Sequence, residues 1–349
     1  MKIDKQQMQE LLTAAMVASD KDAVIRIAGG RLSVAGSSLA SSITVSAGVD
    51  CHDEASMTVD GKRLLAFIKA GSGESVTCNF EKRSFKIARS RMSFASYEPE
   101  HHTTFDMSGG DEQGSSMGFA PIALAIAACT KACGDDDTRA WSTGVHFTGS
   151  EAFGTDGHRL VRVSGVDCPA LEGTTIPKQA LQQLAAVIGQ AEGRQVLVRQ
   201  QSGMISFSGV GFDIRCRLID GQYPNTAPVF ERCAEQQWAS YPNGSMQAAI
   251  AQVASVKPPM IKLRRDDTDE LGVFSDDAAS KASAVAFGSG VQIAADETVG
   301  VNPRYASELM GIFDEDAEIS LSLCSGSAPI GISSPMLPTV TAIVMPMRT

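Results

Sequence analysis

Three stretches of the chain repeat one hydrophobic pattern, a β-branched residue followed by a break and then apolar side chains at helical spacing. They are VDGKRLLAFIKAG from Val59, IPKQALQQLAAVIG from Ile176 and VNPRYASELMGIF from Val301. Apolar residues at i, i+3, i+4 and i+7 line one face of an α-helix, so each stretch predicts an amphipathic helix. In the third, Asn302 suits the N-cap and Pro303 the first helical position, where a missing N–H costs nothing. Pro177 stands in the same place in the second, and Asp60-Gly61 makes the weakest start. A second set of helices falls in step with the first, over residues 6–18, 120–133 and 244–256. Each set is spaced by about a third of the chain.

Between the helices lie short runs in which apolar and polar residues alternate, bounded by Gly, Ser, Asp and Asn. AVIRIAGGRLSVAG, SFKIARSRMSFASY, QVLVRQQSGMISFSG and FDIRCRLI are examples. Alternation of this kind predicts hairpins of an antiparallel sheet with one buried face. Each third then reads as a helix, several strands, a second helix and further strands. The fold class that follows is α+β, built from three repeated domains over residues 1–112, 113–230 and 231–349. The Gly/Asp/Glu/Gln-rich stretch SGGDEQGSS suits a linker at the first joint.

Composition narrows the function. Of the 349 residues 43% are hydrophobic and 20% charged, which is enough apolar mass for real cores. No run of about 18 apolar residues exists, so no membrane span is expected. The start, MKIDKQQMQELL, lacks the apolar run of a signal peptide, and a cytoplasmic protein is expected. The formal charge of −10 argues against a simple basic DNA-binding domain, though positive charge can still concentrate on one face. The eight cysteines, Cys51, Cys78, Cys129, Cys133, Cys168, Cys216, Cys233 and Cys324, are scattered without a C-x-x-C pair, and read as reduced thiols. Cys129 and Cys133 stand one helical turn apart, but none of the five histidines is near, so no metal and no cofactor are expected.

Catalytic signatures are missing. There is no G-x-S-x-G, no H-E-x-x-H and no G-x-G-x-x-G after a strand. Gly61-Lys62-Arg63 lacks the first glycine and the Ser/Thr of a phosphate loop. Cys51-His52-Asp53 places three reactive groups consecutively, where side chains rarely converge. Asp135-Asp136-Asp137 lacks the alternate spacing of a calcium loop and reads as a solvated helix end.

On the second helix of each third, one face would pack and the other would stay polar. Leu64, Leu65, Phe67 and Ile68 pack in the first, with Lys62 and Lys69 outside. In the second, Leu181, Leu184, Val187 and Ile188 pack while Lys178 and Gln182 face out, and Arg304 holds the matching start in the third. Such residues suit a solvated helix face, and repeated at three helix starts they also suit phosphate contacts without sequence readout.

Two stretches carry a family resemblance. Residues 153–161 run FGTDGHRLV and the chain ends VTAIVMPMRT. Both closely resemble the bacterial DNA polymerase III beta subunit, the sliding clamp. LIDGQYPN (residues 218–225), VNPRYASELM and RSRMSF (residues 89–94) are similar to further segments of that family, in the same order along the chain. The resemblance implies a non-catalytic, head-to-tail homodimer whose six domains close a ring around double-stranded DNA, with helices lining the hole and sheets outside. Enclosure would supply retention, so phosphate contacts can stay weak enough for sliding. Lys62, Arg63, Lys69, Arg139 and Lys178 are the residues expected to face DNA, and Phe67 the one expected at the dimer interface. A pocket for short linear peptides of the polymerase and clamp loader is implied at Thr155, Gly157, His158, Arg159, Leu160, Pro224 and Val229. Asn302, Tyr305, Ile343, Val344, Met345, Pro346, Met347 and Arg348 would complete it. Met and Val offer an adaptable apolar socket, and Arg and His supply donors at its rim.

Taken alone, TDGHRL reads as a type I′ hairpin around Asp156-Gly157, and the tail as an edge strand of a core. Three positions depart from the family pattern: Ser142 where an aliphatic pocket residue is usual, Pro228 where a basic one is common, and Thr349 at the apolar terminus. Asp135 and Asp136 add acid to the expected pore. These departures keep open a clamp-fold scaffold that binds peptides and encircles DNA poorly. An enzyme using Asp156 and His158 as an acid–base pair is a more distant alternative.

Overall fold

The computed structural model describes residues 1–51, 53–95, 105, 107, 114–189, 194–267, 270–276, 281–286, 293, 297–323 and 327–348. His52, Cys324, Thr349 and the expected joint at residue 112 lie outside the described residues.

One order of elements runs three times. The first run is β1 (Lys2–Asp4), α1 (Lys5–Ala15), β2 (Asp22–Ala28), β3 (Arg31–Ser37), β4 (Ser41–Gly48), β5 (Ala55–Asp60), α2 (Gly61–Ala70), β6 (Ser75–Asn79), β7 (Ser84–Ile87) and β8 (Ser90–Ser93). The second is β9 (Ser115–Gly118), α3 (Phe119–Cys129), β10 (Gly144–Phe147), β11 (Glu151–Thr155), β12 (Arg159–Ser164), β13 (Thr174–Pro177), α4 (Lys178–Ile188), β14 (Gln195–Gln201), β15 (Met204–Gly209) and β16 (Phe212–Arg217). A short helix α5 (Ala227–Ala234) then leads into the third: β17 (Ala239–Pro242), α6 (Asn243–Ala254), β18 (Ile261–Arg265), β19 (Leu271–Asp276), β20 (Lys281–Ala286), β21 (Val299–Val301), α7 (Pro303–Met310), β22 (Glu318–Leu321), β23 (Ile330–Ser333) and β24 (Val340–Val344). The joint expected at residue 230 falls inside α5.

Local chemistry explains the helix starts. Asp4, Asp60 and Asn302 each accept backbone N–H groups of the first turn, from Gln7, Arg63, and Arg304 with Tyr305 respectively. The Asp60 start, weakest on sequence, is therefore a capped one. Pro177 is the last residue of β13 and not the first of α4, one position off its expected place. Helices α1 and α3 end earlier than their apolar stripes suggest, because three-residue-spaced bonds such as Val17 N to Ala14 O and Lys131 N to Ala128 O tighten both ends. On α2, Leu64 and Ile68 are buried whereas Leu65 and Phe67 stay half-buried, so the packed stripe is narrower than expected.

The described backbone forms two compact units. One comprises Met1–Ala120, Cys168–Leu171 and Gln179–Ile219; the other comprises Pro121–Asp167, Glu172–Lys178 and Asp220–Thr349. In the first, an eight-stranded antiparallel sheet of order β5-β2-β3-β4-β16-β15-β14-β9 stands with a four-stranded sheet β1-β6-β7-β8. In the second, the order is β13-β10-β11-β12-β24-β23-β22-β17, with a four-stranded sheet β20-β19-β18-β21. Each large sheet takes four strands from one run of elements and four from the next, which is why the thirds do not separate as three compact bodies. Alternating burial, as in β2 and β4, places Ile25, Ile27, Ile43 and Val45 under the helices and leaves the other face partly open. None of the described helices is long and apolar enough to cross a membrane.

Candidate functional site

In the second unit the outer face of the large sheet carries a cavity at the seam between β12 and β24. The two strands pair antiparallel, Arg159 opposite Val344 and Leu160 opposite Ile343. Phe153, Leu160, Ile343 and Cys233 form a buried apolar cluster on which Tyr223, Val229, Phe230 and Trp238 pack. The segment after β16 and helix α5 thus cross the sheet face and roof the cavity. Its volume is about 160 Å³, and it is lined by Trp141, Thr155, Gly157, Arg159, Leu160, Pro224, Asn225, Thr226, Val229, Ile343 and Met345. An apolar cavity of about that size holds a benzene ring.

The turn beside the cavity is braced from within. The Asp156 carboxylate accepts the backbone N–H groups of His158 (2.9 Å) and Arg159 (3.0 Å), and Thr155 Oγ1 accepts the N–H of Gly157 while donating to the Arg159 carbonyl. Gly157 sits at φ 90°, where a side chain would be strained, and Asp156 does not share the left-handed region. The turn is therefore an Asx-type loop and not the type I′ hairpin that TDGHRL suggests when taken alone. The same geometry consumes Asp156, so it is not poised as an acid–base partner of the exposed His158.

Arg159 is 6% exposed and its charge is fully engaged. Its Nε donates to Asp156 Oδ2 at 3.0 Å, its Nη1 pairs with Glu308 on α7, and its guanidinium lies 4.4 Å from the Tyr305 ring centre. Glu308 also accepts from Arg304 Nε at 2.8 Å. Burial pushes the Glu308 carboxyl up, but hydrogen bonds from Arg304 and Arg159 outweigh it and leave it below its ordinary value.

Eight of the fifteen expected pocket residues line this cavity: Thr155, Gly157, Arg159, Leu160, Pro224, Val229, Ile343 and Met345. His158, Asn302 and Tyr305 do not line it: the His158 and Tyr305 rings stack at 6.4 Å beside Arg159, and Asn302 caps α7. Val344 is buried in the sheet and is not among the residues that line the cavity. The tail continues outward, Met345 N–H donating to the His158 carbonyl and Met347 N–H to that of Gly300, both at 2.8 Å. Pro346 is half-buried there, and Met347 and Arg348 are exposed. The tail strand is not the edge strand anticipated as its simplest reading: β24 lies inside the sheet, between β12 and β23. Sequence reasoning missed Trp141, Asn225 and Thr226. The wall expected to change at Ser142 is made by its neighbour Trp141, because Ser142 turns into the interior (2% exposed) and its carbonyl holds the Gly134 N–H. Pro228 is the second residue of α5 and is exposed. The indole of Trp141 meets Tyr223 edge-on at 6.0 Å, and Tyr223 stacks on His146 at 4.5 Å.

The cations expected to face DNA are mostly matched by carboxylates. Lys62 Nζ lies 3.6 Å from Asp20 and Arg63 Nε 3.2 Å from Asp60. Lys178 was expected to project freely; instead it donates to the Gly134 carbonyl and pairs with Asp135, whose carboxyl that bond holds below its ordinary value. Arg139 stands exposed in a 3₁₀ segment (Asp137–Thr143), and Lys69 is exposed in the last turn of α2. Among the described residues no His/Cys/Asp/Glu group could hold a metal ion, and Cys51, Cys78, Cys129, Cys133, Cys168 and Cys216 are in no disulfide. Burial pushes Cys78, Cys133 and Cys216 up to about 12, which disfavours the nucleophilic thiolate form.

Residues 120–225 match the family model of the DNA polymerase III beta subunit, central domain. The whole fold is shared with solved bacterial structures. A sliding clamp from Bartonella birtlesii, solved bound to griselimycin, is 18% identical with a TM-score of 0.86, covering 100% of this chain and 99% of that one. The DNA polymerase III beta chain of Streptococcus pneumoniae gives 15% identity and 0.88, over the same shares of each chain. The sliding clamp of Bacillus subtilis gives 16% and 0.87, covering 100% and 98%. No curated protein matches the chain in sequence.

Proposed function

Since residues 120–225 match the central domain of the DNA polymerase III beta subunit and the full chain has the sliding-clamp fold, we propose that this protein is a DNA sliding clamp. In this reading it has no catalytic activity. Two copies associate head to tail, encircle double-stranded DNA without reading its sequence, and tether a polymerase and a clamp loader through short linear peptides. The three modules are residues 1–112, 113–230 and 231–349.

One observation carries the proposal. Each seam between modules is an eight-stranded sheet in which the third of the four middle strands of one module pairs with the last strand of the next, as β4 does with β16 and β12 with β24. Among the described residues the pattern leaves two four-stranded remainders, whose edges β20 and β8 are the strands that the repeat would pair next. Joining β20 of one copy to β8 of another satisfies both edges, and a two-fold dimer closes without leaving an edge to propagate. Phe67, half-buried on α2, is assigned to that contact. The cavity at the β12–β24 seam is the peptide pocket, its apolar walls providing the socket for one side chain.

The matched cations support a second reading, a clamp-fold scaffold that binds peptides but holds DNA poorly. Retention separates the two. Loaded on circular DNA, a clamp stays bound and is released when the circle is cut, and light scattering gives a dimer. Equal loss from circular and linear DNA would leave the scaffold.

A further inference from the structure

A second cleft of about 380 Å³ lies on the other side of residues 224–226, which wall both cavities. Its floor is aromatic: Phe153 and Phe230 meet at 6.2 Å, and the His146 ring lies flat on Tyr223. Glu151 and Arg162 from the outer sheet face and Glu231 from α5 supply its charge. The Arg162 guanidinium is spent on the Phe230 ring, 4.4 Å from its centre, and stands 3.8 Å from Glu151. Burial lowers the pKa of His146, so its imidazole adds no positive charge at neutral pH. The lining therefore carries two carboxylates, Glu151 and Glu231, against one guanidinium that already has an aromatic partner.

We propose that this cleft takes a basic side chain, lysine or arginine, from the same peptide whose apolar side chain fills the cavity at the β12–β24 seam. The proposal rests on reading that cavity as a peptide pocket. Continuity supports it, because a chain lying across Pro224, Asn225 and Thr226 reaches both sides at once. Charge supports it as well. The first cavity has no unspent charge, since Arg159 is held by Asp156 and Glu308, so it selects for apolar shape. Selection by charge falls to the second cleft, where the excess is negative and a cation also gains from the aromatic floor.

The test uses the full-length protein and synthetic peptides in calorimetric titration. One peptide carries an apolar anchor only; two series add a lysine or a glutamate at successive positions on either side. The best lysine peptide should bind about three- to fivefold more tightly than the anchor peptide, with the advantage fading as salt rises. Glu231→Lys, on the exposed face of α5, should abolish that advantage and leave anchor affinity unchanged. Lysine and glutamate series of equal affinity, or an advantage that survives Glu231→Lys, would overturn the proposal. Failure of the anchor peptide to bind at all would instead overturn the pocket reading on which it stands.

Discussion

The β4–β16 and β12–β24 seams share one backbone and differ in what their outer faces carry. At both, the strand pairing is continued by one more bond, Arg217 N–H to the Ala40 carbonyl in one and Met345 N–H to the His158 carbonyl in the other. At both, the turn that leads into the first-named strand, β4 or β12, is braced alike: Ser38 Oγ accepts from Ala40 and Ser41 N–H where Asp156 accepts from His158 and Arg159. The first residue of that strand then reaches the sixth residue of a helix, Ser41 to Gln183 on α4 and Arg159 to Glu308 on α7. Register makes the outer faces comparable position by position. Ser42, Arg215 and Arg217 stand in the first seam where Leu160, Ile343 and Met345 stand in the second. The apolar cavity thus comes from three apolar residues on a repeated frame, together with α5 lying over them.

The frame itself should be the most sensitive to change. A Cβ added at Gly36 would overlap the carbonyl oxygen of Ala15, and one at Gly154 that of Cys129, each being the last residue of the helix packed on that strand. Backbone cannot yield as a side-chain tip can. Gly154→Val is expected to cost about 3 kcal/mol or more, read as a large fall in denaturation midpoint. Gly118→Ala, where the same atom would meet nothing, serves as the control. Equal effects at the two sites would deny that close helix approach defines the repeated module.

Converting one seam into the other should come next in size. Leu160→Ser with Met345→Arg gives the pocket two residues of its polar counterpart. It removes apolar contact worth about 2–3 kcal/mol, or about 30- to 150-fold in peptide affinity. Calorimetry with the anchor peptide reads the loss, and circular dichroism confirms the fold. Retention on circular DNA should be unchanged, because the proposed function assigns the hold on DNA to enclosure. Unaltered peptide affinity would place the binding site elsewhere.

Much of this was legible in the chain and some was not, for reasons visible at single residues. The helix starts could be read because capping is local: Asn302 and Pro303 act within one turn of each other. Half of the expected pocket came together because TDGHRL and the tail lie on strands that pair directly. Trp141 was overlooked because a 3₁₀ segment has no period that tells which of two neighbours faces the cavity, and Ser142 took the inward place. Asn225 and Thr226 sit in an irregular connector, where orientation depends on tertiary packing alone. The pairing of Lys178 with Asp135, 43 positions apart, is likewise invisible to helical spacing.

The smallest expected difference between the seams is their response to acid. Ser41 and Gln183 do not titrate in this range, whereas Arg159 and Glu308 form an ion pair whose carboxyl is held below its ordinary value. A lowered carboxylate pKa contributes stability that is present above the unfolded value and is lost as pH falls through the folded one. Glu308 is 34% exposed, so solvent screening reduces the contribution to about 1 kcal/mol. Glu308→Gln keeps a hydrogen-bond acceptor for Arg159 and removes the charge. Its thermal midpoint should lie slightly below that of the unmodified protein at pH 7, and the two should converge as the pH drops below about 4.5. Gln183→Glu at the other seam adds a carboxylate beside a hydroxyl with no cation paired to it, and should destabilise more at pH 7 than at pH 4. A gap between Glu308→Gln and the parent that persists unchanged to pH 3 would show that shape, and not charge, is what α7 contributes to Arg159.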